Sequence, residues 1–389
     1  MMPTASAAPG GEKPPLGVYI HFPFCRSKCA YCDFVSYPGR EELIPAYVEA
    51  LTGEIRDWRE EISRRRIVSV FFGGGTPSLM DPEQMRVLLT CLADTGCVSP
   101  DAEITMEANP GTVTPGALSA FRAMGVDRLS LGVQAAQDPL LRSIGRIHTL
   151  KEAAAAVDMA REAGFGNLNL DLMYGLPGQT EADWRETLEW AVSRDPEHIS
   201  AYSLILEEGT PLYGRVMSGR SALPDEETTT GMQRAATAFL AGNGYARYEI
   251  SNYAKPGRAC RHNLLYWTRE EYLGLGCAAH SFLGGERFHD PEDLAEYLRG
   301  ERCLDRERIS EQAAMEETIL LGTRMLCGVD YGAFRRAFGR DLREMRKDRI
   351  ERLTDLGLIR DCPDALRLTE RGLEVQNAVV AELVGRGLA

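Results

Sequence analysis

Short β-rich runs recur through the first half of the chain, at 17–22 (GVYIHF), 67–72 (IVSVFF), 102–107 (AEITME), 127–133 (DRLSLGV), 167–172 (NLNLDL) and 198–204 (HISAYSL). Between them apolar residues fall at helical spacing, as in Leu43, Tyr47, Leu51, Ile55, Trp58 and Ile62. A repeated β-α rhythm of this kind predicts parallel strands joined by right-handed crossovers. Six such units suit an open doubly wound sheet or a barrel with fewer than eight strands. The unusual polar features gather at the carboxyl ends of the runs, where both architectures build their sites: three cysteines after the first, GGGTP (73–77) after the second, Glu107, Gln134 and Asp171 at or after the next three, and Tyr202 and Ser203 at the last. One site assembled from all six strands is the economical reading, and the fold expected is α/β, a (β/α)6 partial TIM barrel.

After about residue 215 the rhythm fades. Residues 1–16 read as a flexible tail, 17–230 as the core, and 231–305 as a linking region that carries HNLLYW (262–267) and the glycine-rich YLGLGCAAHSFLGG (272–285). Residues 306–389 read as a small helical domain with a β-wing, similar to winged-helix modules. Its Arg-rich segment, 335–349, interleaves with Asp341, Glu344 and Asp348, which makes it a solvated face rather than a DNA-reading one.

Charge and composition narrow the function. A chain of 389 residues exceeds one hydrophobic core and allows a large and a small unit. The net charge of −13 argues against broad binding to nucleic acid or anionic membranes. The start has one lysine and no apolar core, so it does not read as a signal peptide, and no run reaches the roughly 18 apolar residues of a membrane span. A cytoplasmic protein with its ten cysteines reduced is expected, which leaves metal or cluster ligation as the use for closely spaced thiols.

Such thiols occur in HFPFCRSKCAYCDF (21–34): Cys25, Cys29 and Cys32, with no fourth cysteine nearby. Three thiolates cap three corners of a cubane cluster and leave the fourth iron open. Structural zinc wants four protein ligands, usually as two separated pairs, and no second pair exists here, while a catalytic zinc with three cysteines and water stays conceivable. Cys91, Cys97, Cys260, Cys303, Cys327 and Cys362 show no ligand spacing and read mostly as small buried apolar residues.

Cys25-x3-Cys29-x2-Cys32, with Tyr31 before the last cysteine, resembles the signature of the radical S-adenosylmethionine superfamily. That resemblance implies a [4Fe-4S] cluster on the three cysteines, with the open iron chelated by S-adenosyl-L-methionine. On a larger scale, YIHFPFCRSKCAYCDF, FFGGGTPSLM, EANP, RLSLGVQ and DLMYGLPGQT keep the order of the oxygen-independent coproporphyrinogen dehydrogenase family. By position the resemblance assigns Tyr19 beside the cluster, Gly73, Gly74, Gly75 and Thr76 to the cofactor's amino group, and Glu107, Gln134, Arg146 and Asp171 to its polar ends.

Two departures stand out. Where that family has a further cysteine two residues after the third, this chain has Phe34, and its first cysteine comes early, at position 25. Both features, with His262-Asn263-x-x-Tyr266-Trp267, resemble the HemW subgroup of heme chaperones. The subgroup implies heme as a ligand and a heme-accepting apoprotein, such as a respiratory oxidase, as partner. His262, Asn263, Tyr266 and Trp267 are the heme candidates, with Arg258 and Arg261 nearby and His280 and Cys277 as rival ligands, whereas His21 and His148 read as lining or bracing the site. Taken on its residues alone, HNLLYW is a weak signal, better explained by a histidine satisfied by local hydrogen bonds beside aromatic core residues. Two other activities stay open: oxidative decarboxylation of coproporphyrinogen propionates, and another radical chemistry such as methyl transfer.

Overall fold

The computed structural model describes residues 13–385, so most of the expected tail, residues 1–12, lies outside the described residues. Strands β1 (Pro15–Phe22), β2 (Arg66–Gly74), β3 (Val98–Ala108), β4 (Arg128–Gln134), β5 (Leu168–Tyr174) and β6 (His198–Ser203) pair in parallel in chain order. This is the six-strand core of the expected partial barrel. Alternate positions divide its two faces. Leu16, Val18, Ile20 and Phe22 of β1, or Leu129, Leu131 and Val133 of β4, are buried in the hydrophobic core shared with the surrounding helices. Tyr19, Phe71, Thr105 and Arg128 lie in register on the other face, as do Ser130, Asn169 and His198. A barrel interior is ordinarily packed with branched apolar side chains. This one is polar, and that difference governs the site.

Helices α1 (Ile44–Asp57), α2 (Pro82–Ala93), α3 (Pro115–Ala123), α4 (Asp138–Ser143), α5 (Leu150–Glu162) and α6 (Glu181–Ser193) form the crossovers. Three start from full capping boxes, Asp81 with Gln84, Thr149 with Glu152 and Thr180 with Asp183, which satisfy backbone N–H groups left over at a helix start. Helices α7 (Pro211–Met217) and α8 (Glu226–Gly242) complete this half.

The region read as a link is part of the sheet. Strands β7 (Ala246–Arg247) and β8 (Asn252–Ala254) extend it beyond β6, whereas β9 (Tyr272–Leu275) runs parallel to β1 and leads to β10 (His280–Leu283), β11 (Glu286–His289) and β12 (Leu304–Arg308). The twelve strands follow the order β12-β11-β10-β9-β1-β2-β3-β4-β5-β6-β8-β7. Between β8 and β9, helix α9 (Arg261–Trp267) lies across the amino-terminal ends of β1 and β2. A Cβ added to Gly17 would lie 2.8 Å from Leu265, and Ser69 meets His262 at 2.8 Å, so α9 forms a floor.

The carboxyl-terminal unit has its own apolar core, built from helices α10 (Glu311–Gly322), α11 (Tyr331–Phe338), α12 (Lys347–Asp355) and α13 (Gln376–Val384). A three-stranded antiparallel sheet, β13 (Val329–Asp330), β14 (Ile359–Asp361) and β15 (Ala365–Leu368), supplies the wing. The unit docks on the floor of the barrel. Glu317 accepts from Arg269 at 2.9 Å and from Arg287 at 2.8 Å, and the Arg324 guanidinium sits 4.4 Å over the Trp267 ring.

Candidate functional site

Cys25, Cys29 and Cys32 lie on the loop after β1, and all ten cysteines are free thiols. The loop is tied down by backbone hydrogen bonds from Ala30 to Ile144 O, 2.9 Å, and from Cys32 to Cys29 O, 3.2 Å. Thr76 Oγ1 donates to Cys25 Sγ at 3.4 Å and Arg146 Nη1 to Cys29 Sγ at 3.6 Å. Burial pushes the Cys25 thiol up, opposed by the Thr76 hydrogen bond, and Cys32 is pushed up to about 11, again chiefly by burial. A coordinated metal would favour the thiolate form against that burial.

The three sulfurs open on a cavity of about 410 Å³ at the carboxyl ends of the strands. Gly74, Gly75, Thr76, Glu107, Gln134, Arg146 and Asp171 line it together with the cysteines. Gly75 has to be glycine, because a Cβ there would lie 2.6 Å from Phe24 O and 3.0 Å from Cys25 Sγ. Gly74 has a φ of 109°, and a Cβ would strike the His21 ring at 2.5 Å. The backbone is thereby bared to the cavity beside the thiols.

Asn109 knits the far wall, accepting from Arg146 Nη2 at 2.6 Å and donating to Thr76 Oγ1 at 2.9 Å. Gln134 stands at a φ of 73° beside a register shift in β4, a conformation that costs a non-glycine residue about 1–3 kcal/mol and that sets its side chain against Tyr202 Oη at 3.0 Å.

Asp171 is held by a buried chain of hydrogen bonds. It accepts from Ser130 Oγ at 2.8 Å and from Asn169 Nδ2 at 2.8 Å. Because the Asn169 amide donates here and to Ser130, its carbonyl accepts from His198 Nδ1 at 2.6 Å, which leaves His198 Nε2 to accept from Tyr248 Oη at 2.8 Å. Burial, aided by the Arg128 charge, keeps His198 neutral. Every link therefore donates toward Asp171, from the start of α9, where Cys260 N–H donates to Tyr248 Oη at 3.3 Å, up to the cavity.

Glu107 accepts from Gly74 N–H at 3.2 Å, and its carboxyl is pushed up to about 8 by burial, with the Asp171 charge adding to the rise. An unfolded glutamate titrates near 4.3, so the folded chain holds a proton that the unfolded chain has lost across the interval between. The corresponding stability is present below about pH 4.3 and is lost as pH rises through about 8. In urea titrations of the ligand-free protein, raising the pH from 5 to 8.5 will cost about 3–4 kcal/mol more in the parent than in Glu107→Gln. Parallel pH profiles would refute the assignment.

Two residues expected at the cofactor are set back from it. Tyr19 Oη bonds His21 Nδ1 at 3.0 Å, and its ring packs on Phe71 and beside Gly73, so Tyr19 and Gly73 back the wall without lining it. His21 braces the cluster loop as expected, with Nε2 donating to Val35 O at 3.0 Å. His148 bonds Val133 O at 3.2 Å, and burial lowers its pKa to about 4.

The heme candidates stand elsewhere. His262 is 1% exposed, and both ring nitrogens are engaged, Nδ1 with Ser69 Oγ at 2.8 Å and Nε2 with Tyr266 Oη at 2.9 Å. Its ring packs 5.1 Å from that of Phe71, and burial lowers its pKa to about 3. The barrel interior is polar, so a core histidine finds partners there, and His262 has no nitrogen free to face a ligand. Tyr266 packs edge-on against Tyr272, Trp267 faces Arg324, and Asn263 is half-buried on the same helix. Cys277 donates to Glu292 O at 3.1 Å, whereas His280 is exposed beside His289.

The donor set suits a cluster with an open corner. Among the described residues no three His, Cys, Asp or Glu side chains converge on a single ion. A cubane takes each thiolate at a separate iron, with a wall for its fourth ligand alongside. The bared Gly74–Gly75 backbone, two carboxyls and a guanidinium with an unpartnered buried Nε supply that wall. Asn109, Ser130, Asn169 and His198 were not legible as site residues in the sequence. Asn109 alone left a signal, two residues after Glu107 in EANP.

The model of the Radical SAM superfamily matches residues 19–191, and that of the HemN C-terminal domain matches residues 309–375. A Bacillus subtilis protein named heme chaperone HemW is 35% identical over 373 residues, 94% of this chain and 98% of the relative. An Escherichia coli protein of the same name is 40% identical over 268 residues, 69% of this chain and 70% of the relative. Among solved structures, coproporphyrinogen III oxidase (HemN) from Escherichia coli superposes with a TM-score of 0.82 at 22% identity, over 96% of this chain and 90% of that one, which shows a common fold.

Proposed function

The chain belongs to the HemW family of the radical SAM superfamily, and from that premise we propose that it binds heme and hands it to an acceptor protein in the cytoplasm. Cys25, Cys29 and Cys32 would hold a [4Fe-4S] cluster. S-adenosyl-L-methionine would lie against it, its carboxylate on Arg146 and its amino group on the Gly74–Thr76 backbone, with Gln134, Glu107 and Asp171 taking its remaining polar groups and Gly73 and Tyr19 bracing from behind. When bound, the cluster and its ligand supply one-electron chemistry, and the protein's own part is to position and shield them. Arg146 fixes Cys29 and Asn109 together, and the Ser130–Asn169–His198 chain orients Asp171.

The observation that carries the heme reading is Phe34. Where porphyrinogen oxidases have a fourth cysteine, this chain places an apolar ring, 63% exposed, at the cavity mouth. An apolar rim suits the face of a flat macrocycle. The second reading, oxidation of coproporphyrinogen III, draws on the fold shared with the oxidase. Anaerobic titration of the reconstituted protein with hemin, beside a coproporphyrinogen III turnover assay, separates the two. A stoichiometric shift of the Soret band without turnover is expected, and turnover to protoporphyrinogen with no heme band would overturn the reading.

A further inference from the structure

Large apolar side chains exposed one at a time are ordinary. Four that are conspicuously exposed here lie on elements joined to one another. Phe34 and Ile205, 63% and 69% exposed, line the same cavity mouth. Ile147 and Met217, 58% and 66% exposed, stand just past α4 and at the end of α7. Two hydrogen bonds lace the end of α4 and the start of α7 to the cluster loop, Ala30 N–H to Ile144 O at 2.9 Å and Leu212 N–H to Ala30 O at 2.8 Å, and Arg215 Nη2 to Ser143 O at 2.7 Å joins α7 to α4. The result is one ledge beside the mouth.

The ledge is cationic in a chain of net charge −13. Arg26 and Lys28 donate only to the backbone carbonyls of Gly111 and Phe34, and Arg215 to that of Ser143. Arg142 is exposed on α4. None of the four pairs with a carboxylate among the described residues. Asp33 and Glu207 line the mouth beside Phe34 and Ile205, so the four cations stand against two carboxylates there.

We propose that this ledge, and not helix α9, is where heme docks. The inference rests on the heme-carrying reading above and gives it a location. Apolar rings and branches match the face of the macrocycle, unpaired guanidinium and ammonium groups match its two propionates, and the exposed Met217 thioether is a ligand that heme iron accepts. His262, with both nitrogens engaged beneath the barrel, offers none of this.

The test is an anaerobic titration of full-length, cluster-reconstituted protein with hemin, with S-adenosylmethionine affinity by equilibrium dialysis as the check on integrity. Phe34→Ser/Ile205→Ser is expected to weaken hemin binding by about tenfold or more. Arg142→Glu is expected to weaken it by about three- to tenfold and to lessen its dependence on salt. Met217→Ala should shift the Soret maximum, and S-adenosylmethionine affinity should hold in all three. His262→Gln, shown folded by circular dichroism, should bind hemin as the parent does. Equal hemin affinity in parent and ledge variants would overturn the proposal, as would loss of hemin in folded His262→Gln alone. A ledge variant that changed the mass in solution but not hemin affinity would assign the surface to a second copy of the chain. A parent that binds no hemin would instead refute the underlying reading.

Discussion

Replacement of Cys29 by alanine will leave the reconstituted protein with almost no bound iron and without the cluster's visible absorption, while its melting temperature stays near that of the parent protein reconstituted without iron. Two thiolates cannot hold a cubane that needs three protein corners, and the open fourth corner leaves no reserve ligand. The fold has little stake in this side chain. Cys29 is only half-buried, and its sulfur accepts one long hydrogen bond, 3.6 Å from Arg146. Iron quantitation and thermal melts of both proteins check the two halves of the expectation. Full iron occupancy in Cys29→Ala would place the cluster on other residues.

His262→Ala carries the second large effect, and it falls on stability. Removing the ring strips Ser69 Oγ and Tyr266 Oη of their partner in a buried setting, at about 1–3 kcal/mol for each stranded group. It also opens a void beside Phe71 and Tyr19. Together these should lower stability by about 3–5 kcal/mol, visible as a fall in melting temperature on the order of 10 °C. Glutamine, which keeps an amide to bond and fills part of the space, should recover about half. An alanine variant melting with the parent would show that the contacts beneath the barrel contribute nothing. If the large fall is seen, loss of heme in this alanine variant would follow from damage to the fold and would not identify an iron ligand.

The six parallel strands were legible because each combines an apolar face with helices on either side in the chain. β3 is longer than read, Val98–Ala108 against 102–107, because exposed Pro100 and Asp101 break its pattern. The strands of 246–308 escaped notice because most span two to four residues and several depend on turns. Gly274, for instance, packs so tightly that a Cβ would meet His280 O at 2.2 Å. The cysteines were visible through local spacing alone. The chain from Tyr248 through His198 and Asn169 to Asp171 was not, since its first two links join residues 50 and 29 positions apart. His262 was open to two readings for a related reason. A polar motif suggests a ligand site when interiors are assumed apolar, and this interior is polar from Arg128 to Asp171.

Among the described residues, the floor that α9 lays under the barrel backs its lower end, so the cavity is approached from the mouth beside the thiols. Whatever sits deepest has to be loaded first and can leave only last. A small molecule seated against the Gly74–Gly75 backbone would have to arrive before a broad, flat cargo came to rest on the ledge, and its exchange would wait until that cargo was delivered. In such a carrier the occupancy of the inner compartment records whether delivery has taken place, and the order of events is set by the shape of the container.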